Sequence, residues 1–294
     1  MGLTRRRHLS GGPEGYEDLG SAIQTTGQVW PPGHDLPEIC WPCEGALHRF
    51  VPVPDPIFAD LRLARLYDVF DGGRTDLLLY LTMARQLGAR SVLDLGCGTG
   101  VFALLASANG LHVIGVDPAE ASLNVARARP GAERVTWHCG TVETAPLLRV
   151  DLAVMTGNVA QVFLTDADWL ATLAGVRLRL ARGGHLVYET RRLQDRAWER
   201  WSSPFEVSRT VEGVGLVRVR RRMLRVDMPL VSFRYLYTFP DGEEVVSDST
   251  LRFRSDEENQ DLLDRAGFRV VEVRDAPDRP GRERVYLAAQ ATTH

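Results

Sequence analysis

The stretch "SVLDLGCGTGVFALLA", Ser91–Ala106, decides how this chain folds. An apolar run reaches Asp94, glycines stand at positions 96, 98 and 100, and a second apolar run with helical spacing follows. Strand, tight turn and helix are predicted in that order, with the least side chain where the chain bends most. Such a turn holds a phosphate, a cofactor without one, or nothing but the helix behind it. The dinucleotide fingerprint is G-x-G-x-x-G, whose third glycine lets the helix pack close to the strand. Here Gly96, Gly98 and Gly100 alternate instead, and Asp94 stands just before them. A carboxylate at that place repels a pyrophosphate and suits a ligand with amino or sulfonium groups. Phosphate therefore loses on spacing and on electrostatics.

Outward from the turn, strand-like and helix-like runs alternate. "LHVIGVD", "RVTWHC", "DLAVMTG" and "HLVYET" read as strands, and "AEASLNVARAR" and "TDADWLATLAGVRLRLARGG" as helices. Gly110 and the pair Gly183–Gly184 supply helix stops. Continuous apolar strands alternating with helices imply a parallel sheet covered on both faces. Upstream, "DPIFADLRLARLYDVF" and "RTDLLLYLTMARQLGA" are predicted helices, the second ending at Gly88. Residues 1–54 are rich in Gly and Pro and are expected to form an irregular arm. After Arg192 the pattern changes to four short strand-like runs, with "FPDGE" at 239–243 as a turn, predicting an antiparallel meander over 193–254. Ser255 and Glu258 then carry a capping-box spacing, and two last strands complete a core made of 55–192 and 255–294.

"VLDLGCGTG" resembles the first motif of class I S-adenosylmethionine-dependent methyltransferases. The resemblance continues through "VIGVDPAEASLNVARA", "DLAVMTGNVAQVF" and "LARGGHLVYETR" to the terminal strand pair, most of residues 57–290. It implies a Rossmann-like, mostly parallel seven-stranded α/β sheet with helices on both faces and an antiparallel β insertion as a lid. It implies S-adenosyl-L-methionine as cofactor. Asp117, closing the second strand about 20 residues after the glycine turn, takes the place of the carboxylate that accepts hydrogen bonds from ribose hydroxyls; a helix N-cap before Pro118 is its plainer reading. Tyr67 matches a tyrosine that closes over the cofactor, and also suits core packing. With Asp94, Gly96, Gly98, Gly100, Pro118, Val142 and Thr156 these make the expected cofactor set. One departure stands out. Thr141, with Glu143 two positions on, occupies the place where the family often has an acidic residue bonding the adenine amino group. Adenine contact is then left to the Val142 backbone or to Glu143.

In an open parallel sheet, ligands lie at the carboxyl ends of the strands. That rule selects Asn158 and Gln161 after the fourth strand, and Glu189 and Arg191 at the end of the fifth, as the acceptor-side residues. It sets aside His112 and His185, which start their strands. Glu189 is read as a base or an ammonium ligand, or equally as the ion-pair partner of Arg191 or Arg192. The insert's aromatics (Trp198, Trp201, Phe233, Tyr235, Tyr237) suit an apolar substrate cavity, or simply the insert's own core.

The rest of the chain excludes more than it assigns. Its 294 residues are 44% hydrophobic with net charge −3, so no global field favours nucleic acid or a membrane. All 35 basic residues are arginine, which removes lysine-based Schiff-base and P-loop chemistry. Arg218, Arg220 and Arg222 share a strand face, but the acidic "PDGEEVVSD" that follows is expected to pair with it across strands. Four scattered cysteines and the lack of an apolar leader or long apolar span point to a soluble cytoplasmic protein. Cys40 and Cys43 form a C-x-x-C in the irregular arm, with His34 and His48 near; reduced thiols, a redox pair or a zinc site are the readings. No metal is assigned, and nothing here bears on oligomeric state. The expected activity is methyl transfer to O or N of a small molecule. A catalytically silent cofactor-binding or assembly protein, an RNA or protein methyltransferase, and a nicotinamide-dependent oxidoreductase are the alternatives.

Overall fold

The computed structural model describes residues 53–147 and 149–291, so the arm with Cys40, Cys43, His34 and His48 lies outside the described residues. Three helices come first: α1 (Pro56–Ala59), α2 (Leu61–Asp71) and α3 (Leu77–Gln86). The single helix expected over the first of these segments is two, because Asp60 is extended and its carboxylate accepts the Arg62 N–H at 2.8 Å, capping a new start.

The alternating core follows as β1 (Ser91–Leu95), α4 (Val101–Ala108), β2 (His112–Asp117), α5 (Glu120–Arg127), β3 (Val135–Cys139), β4 (Val150–Met155), α6 (Asp166–Arg179) and β5 (Leu180–Arg191). A five-residue helix, α7 (Ala197–Trp201), was not legible in the sequence and leads into β6 (Phe205–Val211), β7 (Gly215–Asp227), β8 (Leu230–Thr238) and β9 (Glu244–Arg252). The chain closes with α8 (Asp256–Arg265), β10 (Phe268–Asp275) and β11 (Glu283–Gln290). The capping box at Ser255 and Glu258 is formed in both directions.

One sheet has seven strands in the order β10-β11-β5-β4-β1-β2-β3, with β11 antiparallel to both neighbours and the others parallel. Strands step outward from β1 to β3 on one side, and β4 then returns to the other side of β1. The order therefore reverses between β1 and β4, and a crevice opens at their carboxyl ends. Strand residues alternate between two cores: Leu93, Met155 and Tyr188 face Trp169 of α6, while Val92, Val154 and Val187 face Tyr80 of α3 and Phe102 of α4. Burial on both faces explains the continuous apolar strands.

The end of α6 differs from expectation. The helix stops at Arg179 rather than at Gly183–Gly184, and β5 begins at once with Leu180. The Arg179 guanidinium turns inward and donates to the carbonyls of Ala145 (3.2 Å from Nε), Gly175 and Glu143, which anchors the last turn. Pairing with β4 then jumps from Val150↔Leu180 to Leu152↔His185, and Gly183 at φ +78° lies in that jump.

The second sheet is the antiparallel set β6-β7-β8-β9. Its inner face packs Val217, Val219 and Tyr237 on Leu63 and Leu66 of α2, and Val231 with Trp198 of α7 and Phe253. On its outer face Arg218 meets Glu206 at 3.5 Å, Arg220 meets Glu244 at 2.8 Å and Arg234 meets Asp248 at 2.6 Å. Of the stripe, Arg220 thus pairs with the acidic stretch as expected, Arg218 pairs instead with Glu206 of β6, and Arg222 lies opposite Arg234. Among the described residues, no helix is long and apolar enough to cross a membrane.

Two glycines separate conformational strain from packing. Gly100 has φ +80°, and a Cβ there would lie 2.6 Å from the Trp137 ring and 2.9 Å from Ala126; Gly110, at φ +84°, faces open space. Gly110→Ala is expected to cost about 1–2 kcal/mol from the left-handed backbone alone. Gly100→Ala is expected to cost about 3 kcal/mol, since overpacking adds to the same backbone term. Urea unfolding of the two variants checks the difference; equal losses would contradict this account.

Candidate cofactor and acceptor site

The chain leaves β1 at the sheet's switch point through Gly96, Gly98 and Gly100, all at positive φ (72°, 52° and 80°). Their duties differ. A Cβ at Gly96 would meet Val159 at 2.6 Å, and one at Gly100 would meet Trp137, so both permit close approach. Gly98 has nothing within 4 Å of its missing Cβ. Two glycines therefore serve packing, and the third has open space beside it.

Two carboxylates flank the glycine turn. Asp117 ends β2 and is 8% exposed; its Oδ2 accepts the Gly98 N–H and its Oδ1 the Ala119 N–H, each at 2.8 Å. The helix N-cap is Ala119, so the capping reading of Asp117 is corrected: its side chain reaches back to the glycine turn. Burial pushes its pKa up, while the two backbone bonds pull it down. Asp94 is fully buried, and neither carboxylate oxygen has a hydrogen-bond partner. Burial pushes its pKa to about 7; Arg74 and the Ala103 N–H oppose the rise and Asp117 adds to it.

The other cofactor-side residues are more dispersed. Tyr67 of α2 is half-buried, its ring 5.5 Å from Phe58, and burial raises its hydroxyl pKa. Next to it, Asp68 accepts from Thr99 Oγ1 at 2.9 Å and pairs with Arg129, tying α2 to the glycine turn. Pro118 is half-buried, and Thr156, closing off β4, is buried. Beyond β3, Val142 is buried with its side chain against Gly175 of α6, Glu143 is exposed, and the Thr141 N–H donates to Thr144 Oγ1 at 3.1 Å.

On the acceptor side, Thr156–Gln161 forms a short loop between the glycine turn and β5. Asn158 adopts φ +63°, is 4% exposed and leaves its Oδ1 unpartnered. Gln161 is buried; its Oε1 accepts from Arg191 at 2.9 Å and its Nε2 donates to the Arg252 carbonyl at 3.2 Å. Glu189 is 3% exposed, and its Oε1 accepts the Gly157 N–H at 2.6 Å. Burial pushes Glu189 to about 7, reinforced by Glu283 and Asp76. The carboxylate that meets Arg191 is Glu283, at 3.7 Å, so the Glu189–Arg191 ion pair is not formed. Arg191 also lies 5.2 Å over the Trp201 ring.

Trp198, Trp201 and Phe233 cluster with Phe253, and Tyr237 packs on α2, so these aromatics serve the insert's own packing. Tyr235 bridges the two groups, 5.6 Å from Phe233 and 6.3 Å from Tyr237. Asp68, Arg74, Tyr80 and Glu283 were missed by sequence reasoning. Each reaches the site through a contact between segments distant in the chain, and only the position of Asp68 beside Tyr67 hinted at one of them.

Residues 92–184 match a family model described as a methyltransferase domain. The ubiquinone biosynthesis O-methyltransferase of Acinetobacter baylyi is 45% identical over 52 residues, 18% of this chain and 22% of that protein. The chain thus spans about a fifth of the length of the curated relatives it matches. The CcbJ methyltransferase of Streptomyces caelestis superposes with a TM-score of 0.64 at 20% identity, covering 78% of this chain and 96% of that one. The sugar N-methyltransferase KedS8 of Streptoalloteichus sp ATCC 53650 does so with a TM-score of 0.62 at 19% identity, covering 88% and 100%. At these identities the likeness is one of fold.

The unpartnered Asp94 has a consequence for stability. Its folded pKa lies above the unfolded value, so the folded protein binds the proton more tightly. The associated stability is full below about pH 4 and is lost as pH rises through about 7. Asp94→Asn cannot ionise and escapes that loss. The thermal midpoint of the variant minus that of the wild type, without ligand, is expected to increase from pH 5 to pH 8; a flat difference would contradict the buried, unpaired carboxylate.

Proposed function

We propose that this chain, which has the fold of the class I S-adenosylmethionine-dependent methyltransferases and a matching methyltransferase domain, transfers a methyl group to oxygen or nitrogen of a small molecule. The observation that carries this reading is the fully buried Asp94 with two unpartnered oxygens beside an open Gly98 and the Asp117 carboxylate. A buried carboxylate without a partner is costly unless a ligand supplies donors or positive charge. An amino-bearing sulfonium compound with a ribose brings both. The residues present fit that group: Asp94 toward its cationic part, Gly96–Gly100 under it, and Asp117 toward ribose hydroxyls.

Tyr67, Pro118, Thr141, Val142, Glu143 and Thr156 complete the proposed cofactor surface. The exposure of Glu143 and the inward side chain of Val142 support adenine contact through backbone rather than through a family-type carboxylate. When bound, the sulfonium supplies both the methyl group and its leaving group. The protein's part is then to hold the acceptor in line and to keep water out, which accounts for several kcal/mol of a barrier of this kind. Asn158, Gln161, Glu189 and Arg191 are the proposed acceptor-side residues, and the β6–β9 sheet over 193–254 the proposed lid.

Isothermal titration with S-adenosylhomocysteine, the demethylated product, tests the reading. Saturable binding is expected in the wild type. Asp117→Ala is expected to weaken it about 10–100-fold, the scale of lost hydrogen bonds to a charged group. A wild-type chain that does not bind the product would overturn the proposal.

A further inference from the structure

We infer that the inner face of the β6–β9 sheet holds an oxyanion of the acceptor, a carboxylate or phosphate remote from the methylated atom, with Arg221 as its anchor. This rests on the methyl-transfer reading above and adds the charge class of the acceptor.

Strand parity carries the first step. In "VRVRRRM", Val217–Met223, alternation turns Arg218, Arg220 and Arg222 outward and Arg221 inward with Val217, Val219 and Met223. Register places Arg221 in one row across the sheet with Phe205, Tyr235 and Ser247. On one side of that row Val217, Val219 and Tyr237 pack on α2, and on the other Met223 and Val231 pack with Trp198 of α7. A cation thus interrupts the packing face of the sheet, between two apolar clusters.

Its surroundings leave that cation unmatched. The guanidinium carbon lies 4.8 Å from the Phe205 ring centroid and 5.9 Å from that of Trp201. Stacking of this kind uses the faces of the group and leaves its edge, where all five N–H donors lie, open to an acceptor. Among the described residues no acceptor meets any of them, and the Nε is buried, so water does not serve it either. No carboxylate lies within ion-pair distance of Arg221 among those residues. The acids of the adjoining segments are taken: Asp195 by Arg200, Glu199 by Arg196 and Glu206 by Arg218.

Trp201 ties this group to the acceptor side. Arg191 lies 5.2 Å from the same ring centroid and donates to Gln161 at 2.9 Å. Two guanidiniums against one ring repel each other. Glu283, at 3.7 Å, offsets Arg191, whereas Arg221 has no such partner. A carboxylate or phosphate supplies one, since its paired oxygens match the planar fork. At the other end of the acceptor side, Glu189 stands with Glu283 and Asp76 near it, and these acids repel the same group. Charge thus fixes which end of the acceptor faces the second sheet.

The test uses the full chain, methyl-labelled S-adenosylmethionine and a metabolite extract of the source organism. One portion of the extract is esterified in acidic methanol, which caps carboxylates, and half of it is then saponified to uncap them. Another portion is digested with phosphatase and phosphodiesterase. Label is expected in the intact extract. Its loss on esterification and return on saponification identify a carboxylate, and its loss on phosphatase digestion identifies a phosphate. Arg221→Gln is expected to raise the extract concentration that gives half-maximal labelling about 10–100-fold. Arg221→Lys, which keeps the charge but not the fork, is expected to raise it less. Both are expected to bind S-adenosylhomocysteine within twofold of wild type, which separates a lost subsite from a lost fold. Label that survives both treatments overturns the proposal, as does unchanged half-saturation in Arg221→Gln. So does an unlabelled intact extract from a chain that binds the product. Failure to bind the product instead takes down the methyl-transfer reading, and this inference with it.

Discussion

A single carboxylate sets the terms for this fold. Asp94 sits on the central strand, fully buried, at the point where strand order reverses; the Ala103 N–H lies toward it, but no donor meets hydrogen-bond geometry. Proteins rarely keep an unpartnered acid in the core, because desolvation penalises the charge and an orphaned oxygen costs about 1–3 kcal/mol. The group responds by retaining its proton until about pH 7. Every neighbouring feature keeps that situation in place. The glycine turn brings backbone rather than side chains past it, and Arg74, which lowers its pKa, is engaged by Asp76. Beside Gly98 the turn leaves open space.

Around this point the N-terminal helices and the second sheet are joined to the core by a few directional contacts. Asp68 of α2 holds both Thr99 and Arg129, Ser122 donates to the Phe58 carbonyl, and the Ile57 N–H donates to Ser247 of β9. Arg254 is nearly fully buried and donates to the carbonyls of Ala160, Phe163 and Thr165, fixing the end of the second sheet to the loop after β4. These buried contacts to carbonyls matter more than the arginine–carboxylate pairs on the outer face of the second sheet, which are exposed and contribute little individually. The arginine-only composition suits the first role. A planar fork reaches several carbonyls at once, which a lysine does not.

The elements that local chemistry defines were legible in the sequence. The glycine turn, the capping box at Ser255, the turn at Phe239–Glu243 and the strand runs of the second sheet each depend on residues a few positions apart, and period and turn chemistry reveal them. The α6–β5 boundary was not legible. Gly183–Gly184 looks like a helix stop, yet the stop comes earlier because Arg179 folds inward onto carbonyls more than thirty residues away. In the same way, the choice of partner for Arg191 followed from sheet register. Glu283 lies directly opposite it on β11, whereas Glu189, two residues away on its own strand, turns to Gly157. Antiparallel pairing across an interval of about ninety residues leaves no local trace.

The loop Thr156–Gln161 links the two unusual acids. At one end Val159 packs against Gly96 in the turn that follows Asp94; at the other, the Gly157 N–H holds Glu189. Gly157 and Asn158 both lie at positive φ, so the backbone that separates the acids is held in a conformation side chains seldom favour. Such a loop is retained when the fold on either side over-determines it. Two buried acids, each with a pKa near neutrality and each lacking a cation, repel any ligand that would bring more negative charge. Positive charge brought near either carboxylate would lower its pKa and stabilise its ionised form.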